Sequence, residues 1–170
     1  TPQIERMVVQ PNATGAQPGE TVFALTLPRV PSSFRYAATS GRARSKEFFV
    51  NVLHRPDITN VSVRYTFPAY TGLAPKIDPD SLGDISAITG TMVEVTATLS
   101  HPAAAATLVY DQTENAGPDV SLVNEGSHPL ARWSAELAPG MNYRWTLHPK
   151  GAGELLGKPA SGTLKALEDL

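Results

Sequence analysis

Phe23-Ala24-Leu25-Thr26-Leu27-Pro28 is followed after a short gap by Phe34-Arg35-Tyr36. About 109 residues later, Trp133-Ser134-Ala135-Glu136-Leu137-Ala138-Pro139 is followed by Tyr143-Arg144-Trp145. Each copy reads as an alternating strand, a proline-marked corner and an aromatic-Arg-aromatic strand, and the spacing is that of one β-sandwich domain. The chain is therefore expected to be all-β, with tandem immunoglobulin-like or fibronectin-like sandwiches of which the first is incomplete. This pattern speaks to architecture and not to chemistry.

Working outward from the first copy, residues 4–10, 22–27, 34–39 and 48–53 have the apolar content of strands. They are separated by turn chemistry at Pro11-Asn12-Ala13-Thr14-Gly15, Pro18-Gly19 and Ser40-Gly41-Arg42-Ala43. Four strands fall short of the roughly seven strands and ~100 residues of a whole sandwich. Their apolar face needs a cover, from preceding strands, the following domain or a neighbouring chain. Pro56, within His54-Arg55-Pro56-Asp57, stops strand pairing and marks the expected boundary: residues 1–56 as the C-terminal part of a first sandwich, and 57–170 as a complete one.

Beyond it, Ile58, Val61, Val63, Tyr65 and Phe67 open a strand, and residues 68–75 close it as a proline-bounded turn. Residues 78–83 read as loop and 84–88 as a short strand. Met92, Val93, Val95, Ala97 and Leu99 alternate strongly against Glu94, Thr96 and Thr98. Strands follow at 105–111, from Val120, around Trp133, around Trp145 and near 163–166, with residues 151–157 as a glycine-rich hairpin turn. The count is seven to nine strands and no helix; Ala103 to Ala106 has helical propensity but is too short and too near prolines.

Composition narrows the function classes. The chain has 170 residues, 41% hydrophobic and 18% charged, with 15 prolines and 13 glycines, as expected of a turn-rich globular protein. A net charge of −2 gives no electrostatic reason to expect nucleic acid or an anionic membrane as partner. With no cysteine, a disulfide framework, a thiolate nucleophile and cysteine-ligated metal are excluded. No apolar run nears the ~20 residues needed to span a bilayer. No signal peptide is visible, and a start at Thr1 reads as a piece of a longer protein.

The segment Val63-Arg64-Tyr65-Thr66-Phe67-Pro68-Ala69-Tyr70-Thr71-Gly72-Leu73 is the most recognisable. With Gly83-Asp84-Ile85, Gly90-Thr91-Met92-Val93 and Ala105-Ala106-Thr107-Leu108, it resembles the immunoglobulin-like region of large bacterial envelope proteins of the DUF4175 type. Phe34-Arg35-Tyr36 and residues 48–56 match the order that precedes this segment in them; Thr66-Phe67, between Tyr65 and Pro68, is a departure. The resemblance spans residues 20–112. It implies an extracytoplasmic module of a membrane-anchored protein, a protein partner, and no reaction, catalytic residue or cofactor.

Candidate sites are few. Asp78, Asp80 and Asp84 offer the hard oxygens that calcium needs, or serve simply as turn-starting residues of a polar loop. Of His54, His101, His128 and His148, three adjoin prolines, and no pair has metal spacing. No Gly-x-Ser-x-Gly elbow, carboxylate pair or phosphate-cradling loop stands out. Trp133, Tyr143 and Trp145 could display a sugar-binding row, but their alternation reads as core, with Tyr143 suited to a tyrosine corner. Arg35 and Arg144 are expected to face solvent. Asn12-Ala13-Thr14 and Asn60-Val61-Ser62 are formal, coincidental glycosylation sequons. The expected function is a non-enzymatic spacer or protein-binding module, with sheet edges or loops offered to a protein partner and a homodimer through the incomplete first domain as one arrangement. The alternatives are a carbohydrate-binding module and a calcium-stiffened adhesin repeat.

Overall fold

The computed structural model describes residues 4–10, 17, 19–110, 118–124 and 128–168. The chain divides into two compact units, Thr1–Val52 and Leu53–Leu170. Leu53, His54, Arg55 and Pro56 thus belong with the second unit, whereas the sequence placed the boundary after Pro56. The reason is packing: Pro56 is fully buried, and a Cβ at Gly151 would lie 2.8 Å from the His54 carbonyl oxygen and 3.0 Å from Pro56 Cδ.

The first unit consists of three two-stranded antiparallel sheets. β1 (Val8–Gln10) pairs with β2 (Val22–Ala24), β3 (Phe34–Tyr36) with β6 (Phe48–Val50), and β4 (Thr39–Ser40) with β5 (Ala43–Arg44). These strands are shorter than their apolar runs suggest. No described residue of this unit is buried. Phe23, Tyr36, Phe48 and Phe49 are all at least 40% exposed, although such side chains stabilise a fold chiefly through burial.

The second unit is an all-β sandwich. Its elements are β7 (Ile58–Thr66), β8 (Lys76–Asp78), β9 (Ile85–Ile88), β10 (Met92–Leu99), β11 (Ala105–Tyr110), β12 (Ser121–Val123), β13 (Leu130–Glu136), β14 (Asn142–Lys150) and β15 (Ala160–Leu167). One sheet has the order β12-β13-β10-β7-β8, the other β11-β14-β15-β9. All pairs are antiparallel except β9 with β15, where Ile85 lies opposite Leu164. Helical structure among the described residues is limited to single 3-10 turns at Ala69–Thr71 and Ala152–Glu154.

The period-two pattern fixes which face each strand buries. Val93, Val95, Ala97 and Leu99 of β10 point inward, each at most 2% exposed, with Glu94 outward. Val63 and Tyr65 of β7 and Trp133 of β13 share that inner face. Ile85, Leu108, Trp145, Leu147 and Leu164 meet them from the second sheet. The indoles of Trp133 and Trp145 pack edge-on at 5.4 Å, joining the layers near mid-core. β8 is a strand the sequence had hidden, because a three-residue piece between Pro75 and Pro79 reads locally as loop.

Candidate functional site

The two tryptophans are not available to a ligand. Trp133 is 2% and Trp145 0% exposed, and Trp145 Nε1 donates to the Gly83 carbonyl at 2.9 Å. Tyr143 packs its ring on Tyr110 at 5.8 Å. An aromatic row, exposed at Tyr36 and Phe48 and half-buried at Phe34, lies instead in the first unit. There Phe34, Tyr36 and Phe48 follow one another at centroid spacings of 6.2 and 5.3 Å, with Lys46 Nζ 5.3 Å over Phe48. Arg35 is exposed and lies 6.0 Å over the Phe49 ring; Arg144 is exposed too.

The three aspartates occupy separate places. Asp78 sits on β8 opposite Val63. Asp80 Oδ1 accepts from Asn60 Nδ2 at 2.7 Å, which also engages the amide of the second sequon. Asp84 Oδ1 accepts from both the Thr163 N–H, at 3.0 Å, and its Oγ1, at 2.8 Å. The carboxylate thereby holds the start of β9 to β15 rather than facing the other two aspartates. Among the described residues, no group of three or more His, Asp or Glu is placed to hold a metal ion. Asp84→Ala should lower the unfolding free energy by about 1 kcal/mol, because the bonds are charge-assisted but exposed; a denaturant titration with and without calcium checks it. The first sequon, at Asn12, lies outside the described residues.

His54 and His101 come together, although 47 positions separate them. Their rings stack at 4.4 Å and 2°, and His101 Nδ1 is 3.2 Å from Ser100 Oγ. Parallel rings do not aim their in-plane lone pairs at one point, so the pair is not a chelate. His128 is exposed and His148 half-buried on β14.

Among the depressions on the described surface of the second unit are two of different size. The larger, about 440 Å³, lies at the outer face of β10 and β13 and is lined by Met92, Glu94, Asp119, Ser121, Arg132, Trp133 and Ser134. Its charges are mixed, and no histidine lines it to activate either serine. The smaller, about 260 Å³, is lined by Tyr65, Phe67, Lys76, Ser86, Ala87, Ile88 and Leu167. There Lys76 Nζ lies 5.9 Å over the Tyr65 ring.

The titrations that are shifted belong to core tyrosines. Burial pushes the Tyr110 phenol up to about 12, and its hydroxyl is buried without a partner among the described residues. Tyr65 is also raised, by burial first and then by the Asp78 charge. A phenol raised above its unfolded value near 10 holds its proton longer in the folded state. The associated stability is intact below pH 10 and falls as pH rises toward about 12. Tyr110→Phe should flatten that alkaline loss and leave neutral-pH stability unchanged or raised by up to about 1 kcal/mol; thermal melts from pH 8 to 12 test it.

No family model matches the chain, and neither a curated protein nor a solved structure matches it. No helix among the described residues is long and apolar enough to cross a membrane.

Proposed function

We propose that the chain is a non-enzymatic structural and protein-binding module, made of immunoglobulin-like domains in the extracytoplasmic part of a larger, membrane-anchored bacterial protein. The observation that carries the reading is strand order. With β7, β10, β11, β12, β13, β14 and β15 taken as A to G, the sheets read D-E-B-A and C-F-G, the order of a constant-type immunoglobulin domain. β8 is an added edge strand, and β9 extends the second sheet in parallel with the last strand.

The first unit repeats part of that order. β1 with β2 corresponds to β12 with β13, and β3 with β6 to β14 with β15. Among its described residues there is no counterpart of β7, β10 or β11, in keeping with the absence of buried residues among them. Its exposed apolar face supports the reading of a sandwich completed by other strands. The extracytoplasmic setting rests on the resemblance carried by residues 63–73.

In-cell photo-crosslinking tests the function. A photoreactive residue at Ile77, 59% exposed on the edge strand β8, should capture a protein of the envelope. Capture of cytosolic proteins only, or retention of saccharide with no protein neighbour, overturns the reading.

A further inference from the structure

The net charge of −2 averages two unlike parts. Residues 1–52 hold six Arg and Lys against three Glu, a balance of +3. Residues 53–170 hold eight against thirteen Asp and Glu, a balance of −5. Within the first unit the positive charge gathers on one arm. β3 and β6 pair as a hairpin whose far end is the β4–β5 ladder. Residues 34–50 of this arm carry Arg35, Arg42, Arg44 and Lys46 against Glu47 alone. All four cations are exposed, and Arg42 stands in the turn at the tip. Arg44 Nη2 meets Glu47 Oε1 at 3.3 Å. Among the described residues, Arg35, Arg42 and Lys46 make no ion pair.

The rings of the arm divide between its two faces. The register sets Phe34 against Val50 and Tyr36 against Phe48 on one face, and Arg35 against Phe49 on the other. Strands that complete the sandwich would cover the first face, where Lys46 also lies over Phe48. They would leave the second outside. Phe49 is 62% exposed there, with the Arg35 guanidinium 6.0 Å over its ring. The Arg44–Glu47 pair holds another guanidinium at the start of the same strand. An outward phenylalanine among arginines has no part in a core.

We propose that Arg35, Arg42, Arg44 and Phe49 form a docking surface for an anionic lipid membrane. Charge complementarity calls for anions, and guanidinium groups suit the phosphate of a lipid headgroup. Phe49 decides among the anions. At a bilayer its ring enters the boundary between headgroups and acyl chains, while the arginines stay at the headgroups. An acidic protein or a dissolved polyanion engages the arginines and leaves the ring in water. A nucleic-acid base needs a bare ring face to stack on, and Arg35 already lies over that of Phe49. With Glu47 counted, the four charges balance to +2, so binding belongs to the weak, reversible class. This contact is additional to the protein partner proposed above and does not rest on it.

The test uses the full chain and vesicles of phosphatidylcholine with about 30% phosphatidylglycerol. Flotation should recover the protein with these vesicles and not with phosphatidylcholine alone. Binding should fall about tenfold between roughly 0.05 and 0.5 M salt. Arg42→Gln and Arg44→Gln should each lower the partition coefficient about fivefold. Lys165→Gln, an exposed cation of the second unit, should leave it unchanged. Phe49→Ala should lower it about threefold or more and keep the melting temperature, because the ring is exposed. In Phe49→Trp, emission should shift to the blue on anionic vesicles and be quenched by brominated acyl chains. Trp133 and Trp145 are buried and give a constant background. The proposal is overturned by no binding to anionic vesicles, by an equal loss in Lys165→Gln, or by binding indifferent to Phe49→Ala with no emission shift. It is also overturned if soluble polyphosphate or a single-stranded oligonucleotide binds more tightly than the vesicles. None of these outcomes bears on capture at Ile77, so the two readings fail separately.

Discussion

Gly162→Ala is expected to unfold the second unit or to cost it about 4 kcal/mol. Gly162 lies on β15, opposite Trp145 of β14. A methyl group there would overlap the carbonyl of Gly83 and come within 2.7 Å of the Gly83 Cα. Gly83 has no room to retreat. Its φ is +97°, and a Cβ of its own would lie 2.6 Å from the Ser161 carbonyl oxygen and 3.2 Å from Trp145 Cζ2. The same Gly83 carbonyl accepts the buried indole N–H of Trp145. Displacing it orphans that donor, at about 1–3 kcal/mol. It also shifts a fully buried indole packed on Trp133, and forcing an extra methyl group into a packed core costs about 1–3 kcal/mol. Together these costs are a large share of the roughly 5–15 kcal/mol that holds a domain together. Gly140→Ala is the control, since Gly140 also has positive φ, +73°, but nothing within 4 Å of its Cβ position. It should cost about 1 kcal/mol. Denaturant unfolding followed by tryptophan emission compares the two; a Gly162→Ala cost as small as the control's rules out the crossing as a determinant of the fold.

What the sequence disclosed, and what it hid, follows from the range of each interaction. The inward positions of β10, β13 and β14 were legible, because a sandwich core imposes a period of two on any strand it covers. Phe34-Arg35-Tyr36 and Tyr143-Arg144-Trp145 share a local pattern, and both lie on paired antiparallel strands. The parallel pairing of β9 with β15 leaves no mark in either segment, since partners 79 positions apart share no local pattern. Gly162 did leave one: a glycine inside a strand signals close approach of another backbone. It could be noticed from sequence, but its partner, Gly83, could not. Among the candidate ligands the limit was convergence. Asp78, Asp80 and Asp84 are neighbours in sequence and point to different tasks, while His54 and His101 are remote in sequence and stack. Exposure followed the same logic. Trp133 and Trp145 were correctly read as core from alternation, whereas the exposed rings of Tyr36 and Phe48 alternate just as well, in a unit of which no described residue is buried.

Gly157→Ala should free the segment that leads into β7 without dissolving the core. A Cβ at Gly157 would overlap the Pro56 carbonyl and lie 2.8 Å from Pro149 Cγ. Pro56 and Pro149 are both fully buried, so neither yields easily. Gly157 N–H donates to the Pro149 carbonyl at 2.7 Å, which fixes the glycine against this wall. Around the same point, Asp57 Oδ1 accepts the Lys158 N–H at 2.7 Å, and Ile58 N–H donates to the Lys158 carbonyl at 3.3 Å. Asp57 N–H donates to Ser100 Oγ at 2.9 Å, while Ser100 N–H donates to the Asp57 carbonyl at 2.8 Å. These bonds are mostly exposed, each is worth about 1 kcal/mol, and they share one geometry, so the substitution should loosen them together for a total near 3 kcal/mol. The Trp133–Trp145 contact lies on other strands and should survive. Hydrogen exchange separates this outcome from global unfolding: amides of residues 57, 58, 100, 157 and 158 should lose about two orders of magnitude of protection, while those of β10 and β14 keep most of theirs. Uniform loss would mean that the strap and the core unfold as one cooperative unit. Unchanged protection at Asp57 and Lys158 would mean that the glycine-rich turn is only a turn, as its sequence first suggested.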